Sequence, residues 1–95
     1  MTDFTRQMDA LRLRFVARAE DERQALSAAA DREDMVEMQR ISHRLAGIAA
    51  IFGYERIGAL AMELEDALDA RLPQAEVRSL RKKLCRELED VGKRS

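Results

Sequence analysis

The chain contains a single histidine, His43, set in the run His43-Arg44-Leu45-Ala46-Gly47. A lone imidazole with no second ligand at metal spacing argues against a zinc or iron site. Gly47, Gly53 and Gly58 are dispersed through helical sequence with no strand before them, so no phosphate-cradling glycine loop is present. His43 is left with two readings: nucleophilic chemistry or a structural role. Gly47 lies four residues further on, one turn away on the same face of a helix. A glycine there costs about 1 kcal/mol relative to alanine. Either a bulky reactant must approach the imidazole, or another helix of the same chain packs tightly on that face.

The turn-like run Phe52-Gly53-Tyr54 brings a carboxylate into the argument. Folding the chain back about Tyr54 makes residues equally far from it level with one another, and His43 stands eleven residues before it and Glu65 eleven after. At about 1.5 Å per residue each lies about 15 Å from the turn, so the two can face each other across the helix pair. A carboxylate that accepts a hydrogen bond from one ring nitrogen fixes the tautomer and leaves the other nitrogen's lone pair outward. It also stabilises the positive charge that develops when that nitrogen attacks. The alternative is a hydrogen bond that only joins two helices. With no recognisable nucleotide-binding motif, a nucleophilic His43 needs a substrate carried by another protein.

The elements that must position this pair follow from composition and periodicity. The 95 residues are 46% apolar and 37% charged, with one proline, four glycines and few aromatics, which predicts an all-α protein forming one domain over residues 1–95. A first helix, capped by Thr2 or Asp3, runs to about Ala30 with Phe4, Met8, Leu11, Phe15, Ala19, Leu26 and Ala29 inward. Asp34 and Glu37 have the spacing of a capping box for a second helix, whose stripe is Met38, Ile41, Leu45, Ile48 and Phe52 and which stops at Gly53. A third spans about Glu55 to Arg71 on Ile57, Leu60, Ala61, Leu64 and Leu68. Pro73 begins a fourth, on Val77, Leu80, Leu84, Leu88 and Val91, that ends at Gly92. Four amphipathic helices with short links predict an up-and-down antiparallel four-helix bundle.

Formal net charge is −1 with the signs interspersed, which gives no broad positive field for nucleic acid and favours protein partners. No apolar run approaches membrane-spanning length, no signal peptide is evident and Cys85 is the one cysteine, so a cytoplasmic protein with a packed thiol is expected. A polar exposed surface and a monomer are expected with it.

Residues His43-Arg44-Leu45-Ala46-Gly47, then Phe52-Gly53-Tyr54, Ile57, Leu60 and Leu64-Glu65, resemble the signature of histidine phosphotransfer (HPt) domains: His-x-Leu-Lys-Gly, a glycine six residues on, spaced aliphatics and a Leu-Glu pair. The motif resemblance covers about Asp34 to Leu68. It implies a phosphoryl carrier, not an enzyme with its own cycle, with His43 as phosphoacceptor, Glu65 orienting the imidazole, Gly47 giving access and Gly53 supporting the turn. The implied partners are a response-regulator receiver domain, a hybrid histidine kinase or both. No cofactor of its own is implied, with Mg2+ on the receiver.

Ala46 departs from the pattern, standing where the family has lysine. Arg40 and Arg44 are the nearby cations that could meet phosphoryl oxygens, although Asp69 should be level with Gln39 and Arg40 and able to pair with Arg40. Val36, Ala50 and Tyr54, near the His43 side of the second helix, form either a docking patch or an extension of the core. A working phosphorelay protein is the favoured reading. An HPt-like module that binds a kinase or receiver without transfer is the alternative. The phosphoacceptor segment of a histidine kinase is disfavoured because neither an ATP-binding domain nor the acidic residue and proline expected after its histidine is present. A helix-turn-helix DNA binder is disfavoured by the charge balance.

Overall fold

The computed structural model describes residues 2–94, with side chains from 3 to 93. Four helices follow in order: α1 (Thr2–Asp31), α2 (Met35–Phe52), α3 (Glu55–Asp69) and α4 (Gln74–Arg94). Helix α1 packs on α2 and α4, and α3 packs on the same two, while among the described residues no Cα atoms of the diagonal pairs come within 8 Å of each other. Short links between helices arranged in such a ring give the expected up-and-down bundle.

The helix ends show which local signals act. Asp34 caps α2 by accepting from the Glu37 N–H at 3.0 Å. The reciprocal half of the capping box is missing, because the Glu37 carboxylate is taken by Arg40. Gly53 adopts φ 79° and ends α2, with the Tyr54 N–H donating to the Ala49 carbonyl at 2.9 Å. Two other links place charged residues in the left-handed region, Glu33 at φ 56° and Arg71 at φ 54°. The first lets the Asp34 N–H reach the Ala29 carbonyl at 2.8 Å, and the second lets the Leu72 N–H reach the Ala67 carbonyl at 3.0 Å.

Several expected boundaries shift. Helix α3 stops at Asp69, before the expected Arg71, because Arg71 takes that left-handed turn. Gly92 does not end α4, which continues to Arg94. Of the two cap candidates for α1, Asp3 falls inside the first turn, and the Thr2 side chain lies outside the described residues. Pro73 opens α4 as expected, its carbonyl accepting from the Glu76 and Val77 N–H groups at 3.0 and 3.2 Å.

The core contains Phe15, Ala19, Leu26 and Ala29 from α1, with Met38, Ile41, Leu45 and Ala49 from α2. Helix α3 adds Ile57, Leu60, Ala61, Leu64 and Ala67, and α4 adds Val77, Leu84, Cys85 and Leu88. Ile48, Phe52, Leu68, Leu80 and Val91 close its margins. The Cys85 thiol is buried beside the Ser27 hydroxyl at 3.8 Å.

Phe4 and Leu11 are exposed, contrary to the inward positions their spacing suggested. The cause is the unequal length of the helices. Arg23 with Glu89 and Ser27 with Cys85 fix the antiparallel register of α1 and α4, which brings the end of α4 level with about Arg18. Arg44 with Glu22 and the Phe15–Phe52 contact bring the end of α2 level with Phe15. The first three turns of α1 therefore project past both neighbours, and their apolar stripe has nothing to pack on.

Helices α2 and α3 meet where Gly58 faces Ala49, and a methyl group placed on the Gly58 α-carbon would lie 3.7 Å from the Ala49 Cβ. Alanine fits there at ordinary contact distance, so Gly58→Ala should raise stability by about 0.5–1 kcal/mol through helix propensity. Gly53→Ala should lower it by about 1 kcal/mol, since alanine resists the left-handed conformation. Chemical denaturation of the two variants measures both signs, and a loss at Gly58→Ala would contradict the described spacing.

Candidate functional site

His43 lies on α2 on the face turned away from the core, and its side chain is 78% exposed. Its Nδ1 lies 2.8 Å from Glu65 Oε2. The Glu65 side chain, beside the Leu64 core position on α3, is only 22% exposed. The same register pairs Gln39 with Asp69 one turn earlier, the Gln39 amide donating to Asp69 Oδ1. Since an ionised carboxylate only accepts, Nδ1 is the donor, and Nε2 keeps its lone pair. Nε2 has no hydrogen-bond partner among the described residues. The arrangement can therefore deliver a nitrogen nucleophile at an open surface.

Around Gly47 a β-carbon would meet nothing within 4 Å. Among the described residues nothing packs on Gly47 at that face, which removes the internal-packing reason for the glycine. Gly58 is the glycine that faces α2, where a β-carbon would meet Ala49 and the backbone of Ala46 and Ala50 at ordinary contact distance. Sequence reading passed over that placement of Gly58. Ala46 is half-buried against the core and brings no charge to the imidazole.

Both arginines considered as phosphate partners are engaged. Arg40 donates from Nε to Glu37 Oε2 at 3.0 Å and from Nη2 to Oε1, so its partner is Glu37 and not Asp69. That hydrogen bond holds the Glu37 carboxyl below the usual carboxylate range and pushes the Arg40 guanidinium up. The resulting stabilisation is present above the ordinary glutamate pKa and is lost as pH falls through the lowered one. Arg44 turns to α1, where Nη2 meets both oxygens of Glu22 at 2.9 and 2.8 Å. Glu22 is 9% exposed at its side chain and also has Arg18 at 3.5 Å. Arg44 is thus a tie between α1 and α2, with its buried Nε lacking a partner.

Val36, at 78% exposure, and Ala50 remain on the open surface. Tyr54 does not join them. It stacks on Phe15 with ring centroids 4.8 Å apart and closes the bundle end. Ile51, 69% exposed, was missed from sequence although it stands eight residues after His43 and four after Gly47 on that face. Its spacing from His43 was the available signal.

A family model for the Hpt domain matches residues 10–94. The chain belongs to the Hpt domain family. No curated protein and no solved structure matches it. Hpt domains are histidine phosphotransfer modules, and the match covers all four helices except the first turns of α1. Among the described residues no helix is long and apolar enough to cross a membrane, and no group of three or more side chains could hold a metal ion.

The positions of Gly47 and Arg44 predict opposite effects on folding. Gly47→Ala should stabilise the Hpt bundle by about 1 kcal/mol, because open space surrounds the new methyl group. Arg44→Ala should destabilise it by about 2 kcal/mol or more, because it leaves the Glu22 carboxylate nearly buried without its main partner. Urea unfolding distinguishes them, and an unchanged midpoint for Arg44→Ala would contradict the anchoring role.

Proposed function

We propose that this Hpt protein carries phosphoryl groups in a two-component phosphorelay, with His43 as acceptor and donor. The observation that carries the reading is the exposed His43 imidazole bound through Nδ1 to Glu65 in a chain that the Hpt model spans. Nε2 attacks the phosphorus of an aspartyl phosphate on a receiver domain. The N–P bond forms as the acyl P–O bond breaks, and the aspartate leaves as carboxylate. The Nδ1 proton stays in place throughout, and Glu65 stabilises the imidazolium that forms. Reversal of the same step onto a second receiver discharges His43. A histidine kinase is the other donor class, with attack on the phosphoryl group it delivers.

Gly47, in this reading, leaves room for the rim of the receiver's active site, while Val36, Ala50 and Ile51 supply apolar contact around it. Mg2+ held by the receiver neutralises charge on the transferring group. Such a role suits a protein of the cytoplasm. The protein itself is a carrier with no separate catalytic cycle.

Ala46 supports a second reading, an interaction module that binds a receiver or kinase without transfer. Arg40 is paired with Glu37 and Arg44 with Glu22, so neither of these arginines takes the lysine's place beside the imidazole.

Incubation with a phosphorylated receiver should label the chain in an acid-labile, base-stable manner, and His43→Gln should abolish the label. Glu65→Ala should slow transfer by roughly 10- to 100-fold while leaving helical content unchanged, because the ring loses its orientation. Binding without labelling across the organism's receivers and kinases would favour the interaction module. An unchanged rate for Glu65→Ala would remove the orienting pair from the mechanism.

A further inference from the structure

Helix α4 carries its charge unlike the other three. From Arg78 to Arg86 it holds Arg78, Arg81, Lys82, Lys83 and Arg86 with no acidic residue between them. These are five of the chain's 17 cations, and the other 12 stand against 18 acids, which leaves the rest of the molecule at a formal charge of −6. Arg78, Lys82 and Arg86 follow one another a turn apart along an exposed stripe, with Lys83 exposed on the side of α3 and Arg81 half-buried on the side of α1. None of the five has an ion-pair partner among the described residues, and the acids that follow, Glu87 and Glu89, are engaged with Arg56 of α3 and Arg23 of α1. Like charges three or four residues apart weaken a helix. The run contains four such pairs, Arg78 with Arg81 and with Lys82, and Arg86 with Lys82 and with Lys83. Elsewhere the same spacing joins opposite charges, as in Arg23 with Glu20 and Arg40 with Glu37. A repulsion that the fold leaves uncompensated points to a partner outside the chain.

We propose that this stripe docks an acidic helix of a partner protein, one whose carboxylates recur at one-turn spacing. The stripe is about 12 Å long and is bracketed by acids, Glu76 before it and Glu87, Glu89 and Asp90 after it. A nucleic acid strand or a lipid surface extends past those limits and sets its phosphates against the acids. Helix α4 has no aromatic side chain on which a base could stack, and the neutral residues at the stripe, Ala75 and Ser79, offer nothing to insert into a bilayer. A helix with carboxylates at i, i+4 and i+8 repeats at the same spacing of about 6 Å and is matched over the length of the stripe. The guanidinium groups of Arg78 and Arg86 can each hold a carboxylate through two N–H donors, with Lys82 between them as a point charge. Helix α4 lies diagonally across the bundle from α2, so the stripe and His43 are on opposite sides. A partner held on α4 leaves His43 open, and the docking does not depend on the chemistry proposed for that residue.

Amide NMR on the full chain tests this with a synthetic helical peptide bearing glutamates at i, i+4 and i+8 as the probe. Shifts are expected at the α4 amides from 78 to 86 and not around His43, fading as salt is raised. A peptide of the same composition with its glutamates distributed around the helix should bind about tenfold more weakly. Lys82→Glu should weaken binding by about tenfold or more, while its new i, i+4 pairs with Arg78 and Arg86 keep the thermal midpoint at or above that of the parent chain. The absence of shifts at α4, or shifts spread away from it, overturns the proposal. So does equal binding of the two peptides, or binding that Lys82→Glu leaves intact. Tighter binding of single-stranded DNA or of phosphatidylserine vesicles than of the peptide overturns it as well, and assigns the stripe to a nucleic acid or a membrane.

Discussion

The antiparallel register of α2 and α3, turned at Gly53, is the constraint on which the rest of the bundle's useful geometry depends. A methyl group on Gly58 would reach Ala49 at ordinary contact distance, so glycine is not what permits the crossing, and the left-handed Gly53 turns the chain tightly enough to keep the two helices antiparallel. The register then repeats along the hairpin: Gln39 meets Asp69, and His43 meets Glu65 one turn later. A shift of one residue along either helix would rotate one member of each pair by about 100° and break both contacts together. The placement of the imidazole is therefore a property of backbone packing, with the hydrogen bond to Glu65 as the last step.

Electrostatics divide the arginines of α2 between two tasks. Arg44 neutralises the nearly buried Glu22 and anchors α2 to α1, and its loss would leave a carboxylate in a place where water cannot replace the partner. Arg40 sits at the surface, where the pair with Glu37 contributes little to stability and can exchange with solvent. The two side chains stand on either side of His43 in sequence, yet one is part of the scaffold and the other a solvated surface charge.

Much of this was legible in the sequence because it depends on local period and equal counting. Four stripes gave four helices, and equal distances from Tyr54 placed Glu65 opposite His43. The rest depended on quantities that no single helix contains. Phe4 and Leu11 have the same spacing as true core residues, but burial required α2 and α4 to extend far enough to cover them, and both end too soon. Arg40 had two carboxylates within reach, and the i, i+3 partner on its own helix won over Asp69 across the hairpin. Glu33 and Arg71 adopt left-handed turns without the glycine or asparagine that usually signals them. For Tyr54 the sequence leaves surface patch and core extension open, and the ring of Phe15, far away in the chain, decides for the core.

Helix α2 is held on both flanks, by Glu22 through Arg44 on one side and by Asp69 and Glu65 on the other. These contacts oppose a roll of α2 about its own axis, the kind of second arrangement that a conformational switch needs. If His43 carries a phosphoryl group as proposed, a partner senses the covalent state of one ring nitrogen directly, and the information transmitted is chemical and not conformational.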